Sequence, residues 1–423
     1  MKKILAGLLA TYCISYGVTL DELINRAVQT SPVLKEKQVE AKIQQARKKS
    51  IRGSRFGSID VFVNGVRYEN TRILYPLTPP IDPRRLVGAR NQLITGIRYS
   101  LPLFTGFEIE KNVEISSISE KVKNIDYRLT KNQLIYNIKS VYLKILELQK
   151  QTLSLNAYRD SLKKLYDDVR LAVDLGKKPE TDLLKVEYQL KDVESQISRV
   201  KNSIVSLKET LRSLVGDDSI DLSEIEDVKI TQYVQTEEGE YRQRIGSLDI
   251  LKKAEMGEKI AVKKLEIAKG KYLPRVFLNA SAQRNMGNSE YKDLWQIGFT
   301  VEFTLFDFGR RKHQYIQSKL EVEKARLEKQ ILKLKVREKI ADALSQIKSA
   351  SSAVEAAKKQ IDYAKKVEEV ERAKYMEGVT DMFNYLYAKS QRLMAETSFY
   401  NSLYERERAI AYLKYILEEY KDE

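Results

Sequence analysis

Residues 295–305 read WQIGFTVEFTL. Trp295, Ile297, Phe299, Val301, Phe303 and Leu305 are apolar. Gln296, Gly298, Thr300, Glu302 and Thr304 between them are polar or glycine. Alternation with period two puts each set on its own face of a β-strand. The rest of the 423-residue chain points elsewhere. Charged residues make up 31%, and 18 glycines and 8 prolines break it rarely, a composition that favours long helices.

A second stretch matches the first at an offset of 202. Leu93–Phe104 reads LITGIRYSLPLF and places Leu93, Thr95, Ile97, Tyr99, Leu101 and Leu103 on one face. Upstream of each lies a further strand, Ser58–Tyr68 with imperfect alternation and Val276–Gln283 with better. The expectation is four strands as two hairpins, within 58–104 and 276–306.

A heptad stripe follows each hairpin. In the first half it runs through Leu134, Ile138, Val141, Ile145, Leu148, Thr152, Leu155, Arg159, Leu162, Tyr166 and Val169. In the second it runs through Val336, Ile340, Ala343, Ile347, Ala350, Val354, Ala357, Ile361 and Ala364. Steps of three and four sustained this long signal coiled-coil packing. As one helix, 110–174 would span roughly 100 Å. Gly176 and Gly378, again 202 apart, mark reversals into returning helices. In the first half Leu190, Val193, Ile197, Val200, Ile204, Leu207, Leu211 and Leu214 stripe the return.

The organisation expected is a leader over 1–17, a repeat over 18–216 with its helix pair at 107–215, an acidic joining segment over 217–244, and a repeat over 245–423 with its helix pair at 310–420. The leader MKKILAGLLATYCISYG has the basic, apolar, small order of a secretory signal. It holds the sequence's one cysteine, Cys13, so disulfide and thiol chemistry are not expected of the mature chain. The fold class expected is α+β: a long antiparallel helical coiled coil plus four strands per chain.

Four strands of about ten residues match the length that crosses a tilted bilayer. Four cannot close a barrel, and open edges are not tolerated in lipid. If the stripe faces lipid, three chains together supply twelve strands. Trp295 and Tyr99 suit the interfacial belts of such a barrel.

At this point the sequence resembles the TolC family of outer-membrane efflux and secretion channels along essentially the whole mature chain. LDELINRAVQTSPVL at Leu20–Leu34 resembles the family's opening helix. YSLPLFTGF at Tyr99–Phe107 and FTLFDFGRR at Phe303–Arg311 resemble its strand-to-helix junction. ERAKYMEGVTDMFNYLYAKSQRLMAE at Glu371–Glu396 resembles its second periplasmic turn. The resemblance implies a homotrimer, a twelve-stranded barrel in outer-membrane lipid and a helical part in the periplasm. It also implies a passive exit duct that works with a membrane-fusion adaptor and an inner-membrane pump, in a tripartite efflux pump or type I secretion system. It places adaptor docking at Gly176, Lys177, Pro179, Gly378, Val379 and Asp381. In many relatives acids follow the second turn and ring the closed pore. Here those positions are Asn384 and Tyr387, while the first half keeps Asp182. An acidic gate is therefore not expected in the usual form, with Asp381 as a substitute acid.

Catalysis has few materials. The single histidine, His313, stands in the basic run Arg310-Arg311-Lys312 and lacks the neighbours a metal or catalytic site needs. No phosphate-binding glycine loop is present, so transport energy has to come from a partner. No cofactor is expected. The +15 formal charge arises from lysines interspersed with glutamates, which does not read as a nucleic-acid surface. The competing reading is a periplasmic coiled-coil scaffold without a pore, which has no need of alternating strands. The proline-rich stretch 69–88 is a candidate lid or plug at the first hairpin's outer tip.

Overall fold

The computed structural model describes residues 17–230, 241 and 244–422. The leader expected over 1–17 lies almost wholly outside them, as does part of the acidic segment. The helices are α1 (Leu20–Thr30), α2 (Pro32–Gly53), α3 (Glu108–Asp174), α4 (Glu180–Val215), α5 (Asp249–Gly270), α6 (Arg310–Met376) and α7 (Met382–Ile416). The strands are β1 (Ser58–Ile73), β2 (Gly88–Phe104), β3 (Arg275–Gly287) and β4 (Glu290–Glu302). Both ends of α3 and α6 differ by 202, as do the starts of α4 and α7. Upstream, α2 and α5 and the starts of β1 and β3 differ by 217. The extra fifteen residues fall between the starts of β1 and β2. None of the described helices is long and apolar enough to cross a membrane.

The chain forms two compact units, and each draws on both halves of the sequence. One comprises 37–126 and 249–332. At its centre is a fully antiparallel sheet in the order β1-β2-β3-β4. Its register aligns apolar rows across all four strands: Val61–Ile97–Ala282–Trp295, then Ile59–Tyr99–Ala280–Ile297. This face is uncovered, with Trp295 80%, Phe299 72% and Ile297 64% exposed. The opposite face is mostly polar. Ser100 donates to Asn279 at 2.9 Å, and Asn279 donates to Thr300 at 3.0 Å.

The strand bounds differ from the sequence expectation in physical ways. β1 runs to Ile73, past a break in register between Arg67 and Arg72. β4 stops at Glu302, which pairs with Arg275, the first residue of β3. Phe303 and Leu305 therefore continue the alternation without a ladder partner, and only the first four stripe residues stand in the strand. Beyond the sheet the backbone reverses twice in the same manner. Gly106 and Phe107 both have positive φ, as do Phe308 and Gly309. Gly106 has no substitute there, since a Cβ would lie 2.3 Å from the Gly270 carbonyl oxygen.

The other unit comprises the described residues of 17–36, 127–248 and 333–422, and it is helical. Ile135, Ile138, Tyr142 and Ile145 of α3 pack with Leu23 and Ala27 of α1, Leu211 of α4, and Tyr404. A second cluster joins Leu155, Leu162 and Val169 of α3 to Val186 and Val193 of α4 and Met382 and Tyr385 of α7. The first-half stripes supply Ile138, Ile145, Leu155, Leu162, Val169, Val193 and Leu211 of these, and no residue named in the three stripes is exposed. Tyr142 fixes the incoming chain by donating to the Glu226 and Val18 carbonyls at 2.5 and 3.1 Å.

Candidate functional site

The two turns of the helical unit have the same backbone. Gly176 N–H donates to the Val173 carbonyl and Lys177 N–H to that of Ala172, both at 2.8 Å. Gly378 N–H donates to Tyr375 at 3.1 Å and Val379 N–H to Lys374 at 2.8 Å. Each is a Schellman closure, which needs a left-handed residue after the helix. Gly176 and Gly378 supply φ of 69° and 77°. A Cβ on either meets nothing within 4 Å, so both turns are open to approach.

The flanks differ. Pro179 precedes α4 and offers no side-chain cap. Asp381 caps α7, its carboxylate accepting from Asn384 N–H at 2.9 Å. The carboxylate offered by sequence as a substitute gate acid is thus engaged with its own helix. Asn384 is exposed and donates from its side chain to the Thr380 hydroxyl at 3.2 Å.

Asp182 is buried, with Lys185 3.6 Å away. Nearby, Tyr375 stacks on Tyr385 at 5.7 Å, and the Lys178 ammonium lies 4.1 Å from the Tyr375 ring. Burial foremost, then the Asp182 charge, pushes the Tyr375 phenol up to about 12. Its hydroxyl has no hydrogen-bond partner among the described residues.

Tyr387 is exposed and stacks on Phe383. With Leu184 and Tyr188 of α4 these two rings line an open, mainly apolar groove of about 450 Å³. The sequence reading missed Leu184, Tyr188 and Phe383. The available signal was a second apolar pair at i, i+4 off the heptad stripe on each returning helix. It also missed a buried charge cluster. Glu368 of α6 accepts from Lys389 at 3.1 Å and from Arg392 at 3.0 Å, both on α7. Arg392 also reaches Glu396 at 3.1 Å.

In the sheet unit, Trp295, Ile297, Phe299 and Val301 form the exposed stripe, together with Ile59, Val61 and Val63 of β1. The basic run at the start of α6 is largely solvated: Arg310, Lys312 and His313 are exposed, while Arg311 is held by Asp307 at 2.8 Å.

Residues 247–417 match the family model for the outer membrane efflux protein. The outer membrane efflux protein BepC of Brucella suis biovar 1 (strain 1330) is 23% identical over 270 residues, which are 61% of this chain and 57% of that protein. The chain thus spans little more than half the length of this relative. Among solved structures, a membrane protein from Pseudomonas aeruginosa superposes with a TM-score of 0.81 at 16% identity, covering 94% of this chain and 90% of that one. The CmeC outer membrane channel of Campylobacter jejuni superposes with a TM-score of 0.80 at 16% identity, covering 94% and 85%. These likenesses establish the fold.

Proposed function

We propose that the chain resides in the outer membrane, where three copies share one twelve-stranded barrel and act as a passive exit duct, a reading supported by the match of residues 247–417 to the outer membrane efflux protein family model. The observation that carries this is the sheet. Its apolar rows run unbroken across four strands and are uncovered, while β1 and β4 leave two open edges. Open edges are not tolerated in lipid by a single chain, and edge-to-edge closure by further copies removes them, while lipid itself covers the apolar rows. The polar face, with Ser100, Asn279 and Thr300, then lines a water-filled lumen. The helical unit stands on the periplasmic side.

The turns at Gly176, Lys177, Pro179 and Gly378, Val379, Asp381 are the docking points for a membrane-fusion adaptor, whose inner-membrane pump supplies the energy. This serves a tripartite efflux pump or a type I secretion system. Asp182, Asn384 and Tyr387 are the pore-constriction positions.

The test is the native mass of protein extracted from outer membranes in mild detergent, checked by crosslinking. A trimer released by detergent alone is expected. A soluble monomer in the periplasmic fraction overturns the shared barrel and leaves the scaffold reading. For docking, a Cβ at Gly176 or Gly378 meets nothing within 4 Å among the described residues, so the cost of a larger residue to the chain itself is the strain of the left-handed backbone. Such variants should insert normally and lose export; normal export from both sinks the docking assignment.

A further inference from the structure

The connection between β1 and β2, residues 74–87, does not stand free at the end of its hairpin. Leu74 is 1% exposed. Its N–H donates to the Val87 carbonyl at 3.0 Å, and its own carbonyl accepts from the buried Asn285 amide of β3 at 2.7 Å. Gln92 of β2, also buried, donates to the Arg72 carbonyl at 2.7 Å. Gly287 makes the seat possible, because a Cβ there would lie 2.4 Å from the Ala89 Cβ and 3.2 Å from Leu74 Cδ2.

Gln92, Ile94, Gln283 and Asn285 all belong to the sheet face opposite the apolar rows, as the register shows. The connection therefore folds across the polar face. With Leu74, Tyr75 and Pro76 on one side and Ile94, Ser281, Gln283 and Gln296 on the other, it borders an open cavity of about 480 Å³. The rest of the connection is tied to itself. The Tyr75 hydroxyl donates to the Arg85 carbonyl at 2.9 Å, and the Asp82 carboxylate accepts from Arg84 N–H at 3.0 Å. Leu77, Ile81 and Leu86 stay exposed. A largely self-tied loop, held on the sheet by the Leu74 side chain, the Asn285 hydrogen bond and the Lys292 ammonium 5.2 Å from the Tyr75 ring, can swing as a unit when that anchor lets go.

We infer that residues 74–87 form a lid across the polar face of the sheet, which limits the size of molecule that passes the end of the sheet remote from the helices. This inference rests on the proposed duct, in which the polar face lines the lumen and that end opens outside the cell. The second hairpin cannot do the same. It closes through Asn288 and Ser289 alone, both with positive φ, as a tight two-residue turn requires.

The test uses thiol labelling of intact cells from outside, in a Cys13→Ser background that is otherwise free of cysteine. Ser281→Cys places a near-isosteric thiol under the lid. A small maleimide and a polyethylene-glycol maleimide of a few kilodaltons are compared in three backgrounds: the full loop, deletion of 76–86, and Asn285→Ala with the loop intact. The small reagent should react at similar rates in all three. The bulky reagent should react slowly with the full loop and at least about tenfold faster after deletion. With Asn285→Ala it should react roughly fivefold faster, the population shift that loss of one net hydrogen bond gives. Equal bulky-reagent rates in all three overturn the lid. If neither reagent reaches the thiol from outside in any background, the polar face lines no outward-opening lumen, and the duct itself is overturned.

Discussion

On α3 the heptad residues Ile138, Ile145 and Leu162 are fully shielded, while on β4 the equally regular Trp295, Ile297 and Phe299 stand uncovered. Both stripes are strong signals, one of period 3.5 and one of period two. The difference lies in what the chain itself provides. The α3 stripe finds apolar partners on α1, α4 and α7, so Ile138, Ile145 and Leu162 are buried within one copy. The β4 stripe has neighbours in its own sheet and no cover among the described residues. Periodicity identifies which residues share a face; the cover of that face is a separate question.

Four expected outcomes probe this contrast. The largest concerns the helical unit's own buried polar cluster. Glu368→Gln leaves the Lys389 ammonium buried without its counter-charge and should cost about 3–5 kcal/mol, read as a fall in thermal stability in detergent. The apolar pair Glu368→Leu with Lys389→Met should recover most of that loss. If Glu368→Gln melts like the parent, the interior of this unit is wetter than its burial implies.

Next is the sheet. Phe299→Arg should cost about 2–4 kcal/mol if lipid covers the stripe at mid-depth, measured by denaturant unfolding from lipid vesicles. The same change on a face covered by water costs within about 0.5 kcal/mol. A null result would give the two stripes the same kind of environment problem and break the comparison.

A smaller effect follows from two phenols of the helical unit. Burial foremost holds both Tyr158 and Tyr375 up at about 12. The charges of Asp192 and Glu368 add to this at Tyr158, and that of Asp182 at Tyr375. An unfolded tyrosine titrates near 10. Above that pH the unfolded chain releases protons that the folded chain keeps, so stability falls between about pH 10 and 12. Tyr158→Phe with Tyr375→Phe should raise the alkaline midpoint by about half a pH unit, followed by circular dichroism. An unchanged midpoint would mean that neither phenol limits alkaline stability.

The smallest effect belongs to Arg284 and Asp293, an exposed cross-strand pair at 2.6 and 2.8 Å. Asp293→Asn should cost about 0.2–1 kcal/mol. A loss several times larger would place this pair in a drier setting than the rim of the sheet.

Much of this architecture is legible in the residues. The glycines at 176 and 378 mark both reversals because a Schellman closure requires a left-handed residue and glycine adopts it without strain. The long helices are legible because their stripes persist over many heptads. What was not legible depends on contacts far apart in sequence. Phe303 and Leu305 alternate perfectly, yet β3 begins too late to pair with them. Asp381 also caps α7, a bond to Asn384 N–H that was not read from the turn sequence. Lys389 and Glu368 are invisible among so many lysines and glutamates until α6 and α7 are packed together. Leu184, Tyr188, Phe383 and Tyr387 lie off the main stripe, so a search for one dominant period passes over them.

The fifteen residues that separate the two offsets all fall in one hairpin. The sheet's remote edge is consequently lopsided, with a bulky crest beside a flat one. A ring closed from such sheets carries a crown in which high and low points alternate, one high point per copy. An atomic-force image of that crown would count chains directly, showing three peaks for a trimer where a ring of matched hairpins would show six.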